Sequence, residues 1–145
     1  GETATHGGRA FVRGTVSWFG GRSDTGVTPT ETGSITGELL RALEGGASGP
    51  SAADRAANPE DYYFCAMRWD YAPQGRAWWA RAKLLVVSPT TGKAVVVRPV
   101  DWGPHTRTRR LIDLSPQALR DLGLRTDDVA LVSFAAPDAP LGPVR

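Results

Sequence analysis

Short apolar runs crowd the second half of the chain. Residues 83–87, Lys83 followed by Leu84-Leu85-Val86-Val87, and 95–97, three Val, read as apolar runs of strands buried on both faces of a small barrel. The pattern predicts strands over 62–69, 78–87 and 94–100, with 89–93 turning the last two into a hairpin. It also predicts strands over 111–114 and 129–134. Between them Ser115 caps a short helix over 116–122, with Pro116 in its first turn and Gly123 just past its end. A first strand is expected over 10–19, where Phe11, Thr15, Val16, Trp18 and Phe19 precede the turn pair Gly20-Gly21.

From 22 to 60 the chain turns to Gly, Thr, Ser, Pro and Ala. Ile35, Leu39, Leu40 and Leu43 repeat at helical spacing and predict a helix that Gly45-Gly46 ends, and 51–57 predicts a further short turn of helix. Residues 1–9 read as a flexible N-terminus, and the Pro-rich stretch 135–145 as a linker or loosely packed arm. The expectation is a single domain over 10–134, mainly β, with 22–60 as an inserted loop and helix region.

Composition narrows the classes. At 145 residues, 41% hydrophobic and 22% charged, the chain suits one domain whose core needs neither metal nor disulfide. The 17 basic residues against 15 acidic ones are scattered, without the basic stripe of a nucleic-acid binder. No apolar run reaches the length of a membrane span, and no signal peptide is visible. The chain begins at Gly1 and not at Met, so a processed protein or a piece of a longer one is expected. The lone Cys65, beside Tyr62-Tyr63-Phe64, reads as a small buried hydrophobe. His6 and His105 stand far apart without a Cys partner, so neither a metal nor a cofactor is expected, and the protein is taken as a monomer.

Residues 86–104, a strand, a Gly-containing turn, a Val-rich strand ending in Arg98, then Asp101-Trp102-Gly103-Pro104, resemble the centre of the rare lipoprotein A double-psi β-barrel. The likeness, of the rare lipoprotein A, expansin and barwin-like type, continues through Arg110-Leu111-Ile112-Asp113-Leu114-Ser115, and Trp18-Phe19-Gly20-Gly21 resembles the opening of the first barrel strand in actinobacterial and phage cell-wall relatives. The phrase Arg68-Trp69-Asp70-Tyr71 is similar to actinobacterial and phage cell-wall members.

The resemblance implies a six-stranded double-psi β-barrel with short helices. It implies a glycan-active domain, extracellular or cell-wall associated and in some relatives phage-borne, that cleaves peptidoglycan or another β-linked polysaccharide as a lytic transglycosylase or inverting glycosidase. Double-psi barrels also include non-catalytic carbohydrate-binding and protease-inhibitor-like modules, and a docking piece of a phage tail or secretion spike is a further alternative.

Within the resemblance Asp101 stands where the family places its catalytic acid, and a proton donor working near neutral pH needs a carboxyl raised by burial. Asp24 and Asp70 are the candidates for a second carboxylate, since inverting hydrolases pair an acid with a base. His105 is a candidate for assisting proton transfer. Trp102, Trp18 and Trp69 are candidate sugar platforms, and Arg107 a candidate contact to an anionic glycan. Met67 occupies the place where rare lipoprotein A enzymes carry a His, and Asp113 reads as architectural.

Overall fold

The computed structural model describes residues 1–46 and 51–145. The chain is mainly β. Strands β1 (Glu2–His6), β2 (Arg9–Trp18), β3 (Phe64–Met67), β4 (Leu84–Val87), β5 (Ala94–Asp101), β6 (Ile112–Leu114), β7 (Val129–Phe134) and β8 (Gly142–Pro143) are joined by short helices α1 (Ala52–Ala57), α2 (Pro59–Tyr62), α3 (Arg76–Trp79) and α4 (Pro116–Leu122). Six strands close on themselves in the order β2-β6-β3-β5-β4-β7 and back to β2. The pairs β2–β6 and β3–β5 are parallel, the other four antiparallel, so the expected six-stranded barrel is present with mixed strand directions.

The apolar runs form this barrel because both faces of their strands are covered. Val16, Cys65, Val86, Val95, Val97, Ile112, Leu114 and Ala130 meet in the main core, and α4 closes it with Ala118 and Leu122. The helix begins as its sequence dictates: the Ser115 hydroxyl accepts from the Ala118 amide, and Gly123 adopts the left-handed conformation at the far end.

Four expectations need correction. The helical spacing of Ile35, Leu39, Leu40 and Leu43 yields only a 3₁₀ turn over Leu40–Ala42. Gly37 takes a φ of 75° there, and the amides of Ile35 and Thr36 donate to the Val100 carbonyl of β5, so the sheet claims the groups a helix needs. Residues 78–83 are not strand: Trp78 and Trp79 lie in α3, and β4 starts at Leu84. Residues 1–9 form β1 and its turn, paired along β2, in place of a loose end. The tail 135–145 returns to the barrel, with β8 pairing β5 at Val95 and Val96.

The stretch between β2 and α1 covers one side of the barrel. Val27, Leu40 and Leu43 pack with Phe19 on Phe64, Ala66 and Val100. Gly33 sits so close to β5 that a Cβ on it would lie 2.2 Å from the Val100 carbonyl oxygen.

Candidate functional site

β5, β3, β6 and β2 lie side by side, and their register lines up Asp101, Ala66, Asp113 and Ser17 in one row. Ala66 separates the two aspartates. With neighbouring strands about 4.8 Å apart, the Asp101 and Asp113 backbones stand roughly 10 Å from each other.

Asp101 ends β5 and is held from the covering segment. Its Oδ1 accepts from the Ser34 amide at 2.9 Å and the Ser34 hydroxyl at 2.8 Å. The same hydroxyl accepts from the Trp102 amide at 3.0 Å. One serine therefore fixes both the carboxylate and the start of the next loop. The close approach of Gly33 to Val100 is what brings Ser34 there.

Asp113 is the carboxyl whose chemistry the fold changes most. Its burial pushes its pKa up to about 6, Arg110 and Arg68 pull the other way, and the charges of Asp24 and Asp101 add to the rise. Arg110 is itself committed to Asp127 at 2.8 Å, and Arg68 donates to the Pro104 carbonyl.

The remaining candidates divide between several places. Asp24 shares the electrostatic surroundings of Asp113, but both of its oxygens serve the turn: Oδ2 accepts from the Gly20 amide at 2.6 Å and Oδ1 from the Gly26 amide at 2.9 Å. Trp102 is 42% exposed, and its indole Nε1 donates to the Trp69 carbonyl at 3.0 Å, which ties the Asp101 loop to the Arg68-Trp69 segment. His105 caps a 3₁₀ turn over Thr106–Thr108 by accepting the Arg107 amide on Nδ1. Its ring and the Arg107 side chain are exposed. Trp18, also exposed, walls a separate cavity of about 340 Å³ with Arg22 and Arg120. Asp70 accepts from the Ala72 amide at 3.0 Å and lines a second cleft with Trp69, Trp78 and Trp79. Met67, next to Arg68, lines a third cavity.

Sequence reasoning undervalued Asp113 and did not single out Ser34. The local cue for Asp113 was an acid between apolar strand residues; the rest of its environment comes from Asp24, Arg68, Asp101 and Arg110, which only the fold assembles. Among the described residues no three His, Cys, Asp or Glu side chains group as a metal site. Among the described residues no helix is long and apolar enough to cross a membrane. The chain matches no protein-family model and no curated protein.

Proposed function

We propose that this protein is a double-psi barrel of the rare lipoprotein A and expansin type that cleaves a β-linked cell-wall glycan by general acid catalysis, with Asp113 as the proton donor and Asp101 as its partner across Ala66. The observation that carries this reading is the pKa of Asp113 near 6, in a carboxyl that stays in one row with a second, anchored carboxylate. A group with that pKa still holds its proton for a useful fraction of molecules in mildly acidic medium, where an ordinary aspartate has lost it. The acid role suggested for Asp101 by the resemblance thus passes to its neighbour across Ala66, and the two hydrogen bonds from Ser34 hold the Asp101 carboxyl in place.

The spacing also bears on the reaction. Backbones two strands and roughly 10 Å apart suit the wider pairing of about 6.5–9.5 Å that admits a water between acid and base better than the roughly 5 Å of enzymes that form a glycosyl intermediate. An inverting hydrolysis, or an intramolecular displacement by the sugar's own hydroxyl with Asp113 alone as acid, fits this arrangement. Trp102 stands beside the row as an exposed platform for a sugar ring.

The test is digestion of purified peptidoglycan, with mass spectrometry of the soluble fragments. Asp113→Asn is expected to lower release by about 10² to 10⁴, the usual cost of losing a general acid. A parent protein that releases nothing from peptidoglycan or β-glucan overturns the cleavage reading. One that only sediments with the insoluble polymer supports the non-catalytic binding module, to which Met67 in the place of His already leans.

A further inference from the structure

Away from the carboxylate row, loop 68–75, α3 and the end of β7 build an aromatic cleft. The Trp69 and Trp79 rings stack in parallel with centroids 4.2 Å apart, and Trp78 meets Trp79 and Phe134 edge-on at 4.7 and 5.7 Å. The stacked pair and Phe134 form a wall common to two cavities, of about 570 Å³ and 310 Å³. The larger one has Asp70 and Gln74 on its rim and Trp78 and Phe134 exposed at 38% and 50%, so aromatic faces and hydroxyl partners stand together. The smaller one is walled by Met67, Leu84 and Val132.

The Nε1 atoms of both Trp69 and Trp79 are buried and donate to nothing among the described residues, and Trp79 is only 7% exposed. Buried donors are nearly always paired in folded proteins. Two of them, buried on a stacked pair of rings that walls both cavities, mark a place for acceptor oxygens.

We propose that this cleft is a second saccharide site, distinct from the carboxylate row, that selects N-acetylated sugars: pyranose rings lie on Trp78 and Phe134, and an acetamido group enters beside the Trp69–Trp79 stack. The carbonyl oxygen of an acetamido group accepts an indole N–H, while its methyl suits the apolar wall of the smaller cavity; a hydroxyl offers the first but not the second. Asp70, singled out in the sequence as a candidate base, becomes a hydroxyl acceptor here. Because the indole nitrogens are covered, the acetamido group reaches them by shifting the Trp69 side chain against its stack on Trp79 and its packing on the core. The proposal rests on the glycan reading above for the class of polymer, and not on cleavage.

Calorimetric titration with the β-1,4 tetramer of N-acetylglucosamine and with the matching tetramer of glucose tests it. The N-acetylated ligand is expected to bind about tenfold more tightly, one net hydrogen bond's worth. Trp78→Ala should weaken both ligands. Trp79→Phe keeps an aromatic ring in the stack but removes its N–H, and should erase the preference; Trp69→Phe serves the same purpose should the buried site reject Phe. Equal affinities, no binding, or a preference that survives both Phe variants overturns the proposal. Asp113→Asn separates the two readings: the preference should persist in it, and a preference lost with Asp113 assigns the acetamido group to the carboxylate row and overturns the second site. A parent that binds selectively but cleaves nothing sinks the cleavage reading alone.

Discussion

The carboxylate row and the aromatic cleft are held in opposite ways. Around Asp101 the fixing contacts are directional: Ser34 donates twice to the carboxylate, Trp102 is tied at its amide and its indole, and Gly33 lies against the backbone of β5. Around Trp79 they are ring faces and edges, on a helix of one turn and a loop outside the barrel. Hydrogen bonds specify a position within tenths of an ångström, as proton transfer requires. Ring contacts tolerate sliding, which suits a surface that accommodates successive sugars. The difference teaches that the two regions answer different demands, one of aim and one of accommodation.

The comparison breaks most readily at Gly33. Gly33→Val is expected to cost several kcal/mol in denaturant unfolding, because the added side chain meets the Val100 carbonyl and the covering segment must lift from β5. A midpoint unchanged from the parent would show that this segment does not depend on the close approach. By contrast Phe134→Ala, on the half-exposed edge of the cleft, should cost about 1 kcal/mol or less, well below the 3–5 kcal/mol typical of a fully buried Phe.

Next in size is Ser34→Ala. Losing its hydroxyl removes a charge-assisted hydrogen bond to Asp101 and the acceptor for the Trp102 amide, so a loss of about 1–2 kcal/mol is expected, together with reduced cleavage. A variant as stable and as active as the parent would mean that Asp101 is positioned without Ser34.

A smaller effect has a definite sign. Asp113 binds its proton more tightly when folded, with a pKa near 6, than in the unfolded chain near 3.9, so it opposes folding increasingly as the pH rises from about 4 through 6. Asp113→Asn should therefore raise the melting temperature by a few degrees at pH 7.5 and hardly at all at pH 4. Equal shifts at both values would contradict the elevated pKa. The same titration predicts that cleavage by the parent declines as the pH rises past about 6. Smallest of all is Arg22→Ala, which removes an ion pair to Glu44 at 2.5 Å with Arg22 well exposed; less than 1 kcal/mol is expected, and the loss should shrink in high salt.

The barrel was legible in the sequence where local and global preferences agree. Residues 94–100 and 129–134 are Val-rich and lie in strands, and Ser115, Pro116 and Gly123 mark the ends of α4 without help from the rest of the chain. The reading failed where a distant partner decides. Ile35 and Thr36 give their amides to Val100, which no spacing of leucines reveals. Trp78 and Trp79 have strand-like chemistry, but Trp79 stacks on Trp69 and buries against Ile35 and Ala82 in a helical turn. At the site, the motif pointed to Asp101, and the register sets Asp113 in the same row with it. Asp101 carries the recognisable loop, whereas Asp113 is raised by burial and by the charges of Asp24 after β2 and Asp101 on β5, against the pull of Arg68 and Arg110.

β8 bears on how force would travel through the molecule. Its pairs with Val95 and Val96, and the hydrogen bond from the Val144 amide to the Ala94 carbonyl at 2.9 Å, fasten the end of the chain to the beginning of the strand whose last residue is Asp101. A pull applied at Arg145 would reach β5 first. Tension there would peel β8 from Val95 and Val96 while β3 still grips Arg98 to Asp101, so the barrel has a sacrificial seam ahead of the one that aligns the two carboxylates.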